Sequence, residues 1–89
     1  MASRTITIVN RLGLHARASA KFVQTAAGFP CEVKVVRDGK SVNGKSIMGL
    51  MMLAAAKGSV VELETNGDQA DAALEALVQL VENRFGEAE

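Results

Sequence analysis

The segment GLHARAS, from Gly13 to Ser19, holds the residues of this chain best suited to chemistry. His15 is the only histidine among the 89 residues, and Arg17 follows it two positions later. A neutral imidazole nitrogen is a nucleophile that can take up a phosphoryl group, and a guanidinium binds phosphate oxygens through paired hydrogen bonds. The two side chains therefore indicate a site for phosphoryl chemistry on a histidine.

A helix beginning just after His15 would complete such a site. The apolar spacing becomes helical from Ala16, with a predicted buried stripe of Ala16, Ala20, Val23 and Ala27 and a stop at Gly28 and Pro30. The start of a helix offers unpaired N–H groups and a partial positive charge, here on Ala16, Arg17 and Ala18. The residues alone leave open a plainer interpretation, in which His15 is a polar cap and Arg17 a solvated side chain.

Four short segments alternate apolar and polar residues, as half-buried strands do. They cover residues 4–9, Glu32–Arg37, Lys40–Asn43 and residues 60–65. Asp38-Gly39 suits a tight hairpin turn between the second and third segments, because both positions of that turn need a positive φ. These segments predict four strands, the middle two joined as a hairpin.

Two further helices are predicted in the second half of the chain. Ser46 is a natural N-cap for a short helix over residues 47–53, and Asp68 for the longest helix. The longest helix has an apolar stripe of Leu74, Leu77, Val78, Val81 and Phe85 and ends before Gly86. The order βαββαβα predicts one α+β domain over residues 1–89, a two-layer sandwich with helices on one face. The strand order is left open, and a ferredoxin-like order is among the possibilities.

Composition excludes several classes of function. Ten basic side chains balance ten acidic ones, and three phenylalanines are the only aromatics, so nucleic-acid binding is not expected. Cys31 is the only cysteine, so neither an internal disulfide nor a cysteine-based zinc site is expected, and no metal or cofactor is predicted. The longest apolar run is too short to cross a bilayer and no signal peptide is recognisable, so a cytoplasmic protein without membrane insertion is expected.

The segment GKSVNGKS, Gly39 to Ser46, matches the phosphate-binding loop pattern G-x-x-x-x-G-K-[ST]. A nucleotide-binding enzyme is therefore an alternative. It is disfavoured because Asp38-Gly39 already forms a good hairpin, no apolar strand ends in an aspartate for magnesium, and three helices cover only one face of a sheet. A hairpin followed by a capped helix is the preferred interpretation.

The motif GLHAR after a first strand, with KSIMGLMML about thirty residues later, resembles the histidine-containing phosphocarrier (HPr) family of the phosphoenolpyruvate-dependent sugar phosphotransferase system. The resemblance covers essentially the whole chain and implies an open-faced sandwich of four antiparallel strands under three helices. It also implies that His15 accepts a phosphoryl group on Nδ1 from enzyme I and passes it to an enzyme IIA domain, assisted by Arg17. Such a protein is a carrier without turnover chemistry of its own.

The same resemblance assigns a regulatory role to Ser46, where many members are phosphorylated by an ATP-dependent serine kinase/phosphorylase. It implies that Ile47, Met48 and Met51 dock enzyme I. The protein is separately expected to be a monomer. One residue departs from the family, since Ala18 stands where proline is common. The alternative is therefore a nitrogen-type or purely regulatory member that acts by protein–protein binding.

Overall fold

Four antiparallel strands form one sheet in the computed structural model, which describes residues 1–89. The elements in chain order are β1 (Ala2–Thr7), α1 (Ala16–Ala27), β2 (Glu32–Arg37), β3 (Lys40–Asn43), α2 (Ile47–Met52), β4 (Val60–Asn66), α3 (Ala70–Glu82) and a short 3₁₀ turn (Arg84–Gly86). The strand order is β1-β4-β2-β3, with every neighbouring pair antiparallel. The predicted open-faced βαββαβα sandwich, with three helices on one face, is confirmed.

The end of β1 differs from the prediction. Strand pairing stops at Thr7 and not at residue 9, although Ile6 and Ile8 are buried as the alternation requires. Ile8 still exchanges hydrogen bonds with the loop before β4, donating to the Ser59 carbonyl and accepting from the Gly58 amide. The alternation then continues to Asn10, a polar residue that is fully buried.

The hairpin over β2 and β3 is as predicted. Arg37 pairs with Lys40, and both Asp38 (φ 50°) and Gly39 (φ 80°) have left-handed backbone angles. The GKSVNGKS segment is thus a strand and a cap, and the Lys45 ammonium donates a hydrogen bond to the Phe29 carbonyl at 2.7 Å. This confirms the hairpin interpretation over the phosphate-binding loop.

The buried face of α1 was predicted wrongly. The side chains against the sheet are Ala18, Ser19, Phe22 and Ala26, whereas Ala16 and Ala27 are exposed and Ala20 and Val23 only partly buried. Both sets have helical spacing, so periodicity alone does not choose between them. Phe22 decides the orientation because it removes far more apolar surface from water than any alanine.

The start and end of α3 also differ from the sequence prediction. Gln69 is the N-cap, with a left-handed φ of 64° and no side-chain cap bond, so the predicted cap at Asp68 is wrong. The stripe of Leu74, Leu77, Val78 and Val81 is buried as expected. Phe85 is buried too, but it lies beyond the helix, which ends at Glu82.

One continuous cluster of 20 buried apolar residues joins the helices to the inner face of the sheet. Val33, Val35, Val61 and Leu63 supply its sheet side, and Phe22, Leu50 and Leu77 its helical side. None of the helices combines the length and the apolar character that crossing a membrane requires. The core fixes where α1 begins, and hence where His15 is placed.

Candidate functional site

His15 is the N-cap of α1, as its position in the sequence predicts. Its backbone is extended (φ −74°, ψ −179°), and its carbonyl accepts the first helical hydrogen bond, from the Ser19 amide at 2.9 Å. The imidazole forms no cap bond to the helix. The amides of Ala16, Arg17 and Ala18 have no protein acceptor at the positive end of the helix, and the first two belong to exposed residues whereas Ala18 is completely buried.

The loop before His15 is held by close packing at Gly13. This residue has φ 67°, and a Cβ built on it would lie 2.4 Å from the Ala55 carbonyl oxygen. The neighbouring Leu14 amide donates to that same carbonyl at 2.9 Å. Only glycine fits this left-handed and crowded position, so the loop enters α1 at a fixed angle.

The His15 ring has a single protein partner. Its Nε2 lies 2.6 Å from Oε2 of Glu87, a residue of the C-terminal tail, and no protein group is hydrogen-bonded to Nδ1. The His15 side chain is 27% exposed and that of Glu87 15% exposed. The ring is therefore held on one nitrogen and accessible from solvent.

Asn10 supports Glu87 from below. Its Nδ2 donates to Oε1 of Glu87 at 3.1 Å and to the Gly13 carbonyl at 2.8 Å, while its Oδ1 is buried without a partner. The hydrogen bond from Asn10, together with the hydrogen bond and charge of His15 and the charge of Lys21, lowers the pKa of the Glu87 carboxyl. Burial opposes this effect but does not outweigh it.

The ring opens into a shallow cleft of about 500 Å³. The side chains that line it and bear charge or apolar surface are those of Arg11, Leu12, His15, Arg17, Glu87 and Glu89. Arg11 is already paired, since its guanidinium donates to the Glu89 carboxylate at 3.0 Å. The exposed Arg17 has no such partner, so its five N–H donors are available to a ligand.

Ser46 lies outside this cleft, at the start of α2. Its hydroxyl oxygen accepts a hydrogen bond from the Gly49 amide at 3.1 Å, which confirms the predicted N-cap. Of the α2 residues, Leu50 is buried, whereas Ile47, Met48, Met51 and Met52 expose apolar surface. Met48 is the most open, at 72% exposed.

Four residues of the site escaped the sequence analysis: Asn10, Arg11, Glu87 and Glu89. One signal was available for Asn10, because it continues the buried positions of Ile6 and Ile8 and so places an amide where an apolar residue is expected. The two glutamates carried no such signal, since a charged chain end is ordinarily solvated. They are brought to His15 by the turn after α3.

Comparison with known proteins places the chain in a family. Residues 2–83 match the family model described as the PTS HPr component phosphorylation site. The phosphocarrier proteins HPr of Neisseria meningitidis and Pseudomonas aeruginosa are each 58% identical to the chain, over 89 and 90 residues, with full coverage of both partners. The crystal structure of HPr from Thermoanaerobacter tengcongensis has a TM-score of 0.96 at 49% identity, again over all of both chains.

The fold and these matches define a phosphocarrier of the phosphotransferase system. The chain belongs to the HPr family.

Proposed function

We propose that Nδ1 of His15 accepts a phosphoryl group from phosphorylated enzyme I and passes it to an enzyme IIA domain. The observation that carries this proposal is the free Nδ1 on a residue that N-caps α1 without using its amides. A phosphoryl group on that ring would meet the positive end of the helix and the N–H donors of Ala16, Arg17 and Ala18. Residues 1–89 then act as one carrier domain, needing no metal or cofactor.

Arg17 is proposed to hold the phosphoryl oxygens during transfer. It lines the same cleft as His15 and has no competing carboxylate, in contrast to Arg11 beside it. A guanidinium offers two parallel N–H groups to a phosphoryl group, and its charge offsets the negative charge that arrives with the donor. Its exposure allows the side chain to follow the phosphoryl group between partners.

The exposed apolar side chains of α2 are the proposed docking surface for enzyme I. Leu50 is the residue of α2 that packs into the core, and it is completely buried. Ile47, Met48 and Met51 instead expose apolar surface to water. Methionine adapts to different partner surfaces because its side chain is unbranched and flexible. A carrier that must meet both a donor and an acceptor benefits from this property.

Ser46 is proposed as a regulatory site for an ATP-dependent serine kinase/phosphorylase. A phosphoryl group there would place up to two negative charges beside the docking surface. We expect Ser46→Asp to lower kcat/KM for transfer from enzyme I about threefold, through charge at the approach of the partner. Ser46→Asn is the matched control, because asparagine caps equally well without charge. Equal transfer in both variants would remove the regulatory proposal.

The direct experiment is labelling with enzyme I, magnesium and labelled phosphoenolpyruvate. We expect acid-labile label on the wild-type protein and none on His15→Ala, with circular dichroism confirming that the variant is folded. Absence of label on the wild type, with enzyme I shown to be active, would contradict the carrier function. Transfer onward is then followed by adding enzyme IIA domains one at a time.

A regulatory member of the family is the second candidate. Ala18 replaces the proline that is common in the family, and the solved relatives include Crh, the catabolite repression HPr of Bacillus subtilis, at 41% identity. In that case a His15→Ala variant would keep every cellular role of the protein. We also propose that the protein is a cytoplasmic monomer. Light scattering tests the oligomeric state, which needs a test because HPr from Thermoanaerobacter tengcongensis forms a dimer in one crystal.

A further inference from the structure

The C-terminal tail folds back over His15 instead of leaving the domain. Arg84, Phe85 and Gly86 have φ values of 56°, 55° and 79°, so three consecutive residues adopt the left-handed conformation. Two of them are not glycine, and such a conformation persists only where the surrounding structure holds it. The turn reverses the chain after α3 and directs the next residue, Glu87, toward the ring.

Four contacts hold this turn and the tail in place. The Phe85 side chain is fully buried in the core, and the Lys21 ammonium donates to the Phe85 carbonyl at 2.7 Å. Beyond Glu87, the Arg11 amide donates to the Glu89 carbonyl at 2.9 Å, and the Arg11 guanidinium pairs with the Glu89 carboxylate. The position of Glu87 is therefore built by the fold on both sides.

We infer that Glu87 is a positioning residue that decides which nitrogen of His15 is phosphorylated. An ionised carboxylate only accepts hydrogen bonds, so its contact at 2.6 Å assigns the ring proton to Nε2. The lone pair is then on Nδ1, and the carboxylate also occupies the approach to Nε2. The inference rests on the proposed function of His15 and adds a residue beyond the region that the family model matches.

The role of Glu87 follows from the transfer step itself. The Nδ1 lone pair forms the new bond to phosphorus, while the bond from phosphorus to the donor histidine of enzyme I breaks and its electron pair stays on the donor ring. The His15 ring gains positive charge and keeps its Nε2 proton, which lies against Glu87. A carboxylate at that point stabilises the charge that develops, and Asn10 holds its second oxygen.

The sharpest test uses a donor that needs no enzyme. Phosphoramidate phosphorylates imidazole when its P–N bond breaks and ammonia leaves, and NMR coupling between ³¹P and ¹⁵N identifies the nitrogen that carries phosphorus. We expect the wild type to be phosphorylated on Nδ1, and Glu87→Gln to raise the share on Nε2 about tenfold or more. Glu82→Gln is the matched control, because it removes the same charge from an exposed residue at the end of α3 that neither contacts His15 nor holds the tail.

Two further readouts separate this role from a merely structural one. In the unphosphorylated protein at high pH, ring ¹⁵N shifts report the tautomer: we expect Nε2–H alone in the wild type and a mixture in Glu87→Gln. With enzyme I as donor, kcat/KM falls about tenfold in Glu87→Gln and recovers in part in Glu87→Asp. The same isomer and the same tautomer in wild type and Glu87→Gln would overturn the inference.

Failure of the proposed function gives a different pattern. If enzyme I and phosphoenolpyruvate do not label the wild type, the carrier function is contradicted. The phosphoramidate isomer and the ring tautomer still decide the role of Glu87 in that case, because neither depends on a partner protein.

Discussion

The first turns of α1 and α2 follow similar N-cap residues but differ in whether the N-cap side chain bonds to the helix amides. Both follow an N-cap residue with extended backbone, His15 before α1 and Ser46 before α2. Ser46 accepts a hydrogen bond from the Gly49 amide and so uses a donor of its own helix, whereas His15 bonds to none. A side chain that caps its helix takes up one of the amides that an anion could bind, whereas His15 leaves all the first-turn amides of α1 without a protein acceptor.

The two starts also differ in what holds them. At α2 the Lys45 amide donates to the Asn43 side chain and the Ser46 amide to the Asn43 carbonyl, and the Lys45 ammonium adds a more distant bond to Phe29. The cap of α1 depends on distant residues, with Ala55 packed against Gly13 and Glu87 against the ring. The His15 ring is therefore oriented by a residue distant in the sequence, whereas the Ser46 hydroxyl bonds only within its own helix.

The largest expected effect tests this tertiary support. Gly13→Ala introduces a Cβ that meets the Ala55 carbonyl in a left-handed position, so we expect a loss of about 2–3 kcal/mol in the free energy of unfolding. Gly39→Ala is the control, because Gly39 is also left-handed but has nothing within 4 Å, and we expect a loss of about 1 kcal/mol. Equal losses in urea titrations would show that the contact with Ala55 contributes nothing.

The next effect concerns Arg17, the proposed phosphoryl-binding side chain in the first turn of α1. Arg17→Lys keeps the charge and loses the paired donors, so we expect kcat/KM for transfer from enzyme I to fall about tenfold, equivalent to ~1.4 kcal/mol. Arg11→Lys makes the same change at a residue already paired with Glu89 and should transfer almost normally. The role given to Arg17 does not survive if the two variants have the same kinetics.

A change at Ser46, the N-cap of α2, should alter the stability of the protein and not its phosphorylation. Ser46→Ala removes the acceptor for the Gly49 amide and should cost about 1 kcal/mol of unfolding free energy, with phosphorylation at His15 unchanged. Thermal unfolding and labelling by enzyme I measure the two quantities on one sample. A stability equal to wild type would mean that the cap bond is replaced by water at no cost.

The smallest effect is the pH dependence that Glu87 contributes. Because the folded protein lowers the pKa of this carboxyl below its ordinary value of 4.5, the associated stability is complete above that value. It is lost as the pH falls through the lowered value. As the pH falls below about 5, the wild type should therefore lose more stability than Glu87→Gln. Parallel stability curves for the two proteins would contradict the lowered pKa.

Local signals explain which parts could be predicted from the sequence. The hairpin at Asp38-Gly39, the caps at His15 and Ser46, and the order of elements all depend on residues within a few positions of one another. The strand order and Glu87 could not be predicted in this way, since they depend on contacts between distant segments. Glu87 lies 72 residues from His15 in the chain.

The errors have physical causes as well. The alanine stripe of α1 had good helical spacing but lost to Phe22, because the largest apolar side chain determines which face packs on the sheet. Asp68 is a good cap in isolation, yet the chain starts α3 one residue later through the left-handed Gln69. Phe85 is buried as predicted, because its ring packs in the core. Its backbone is not helical, because the chain turns there to form the tail.

The most direct test of the difference between the two N-caps, His15 and Ser46, follows the backbone amide resonances during phosphorylation. ¹H–¹⁵N spectra are recorded before and after enzyme I and phosphoenolpyruvate are added. We predict that the amide resonances of Ala16, Arg17 and Ala18 shift most, because these groups begin to donate to a phosphoryl group on His15. The resonance of the Gly49 amide should not change. Unchanged amides at the start of α1, with phosphorylation complete, would contradict this prediction.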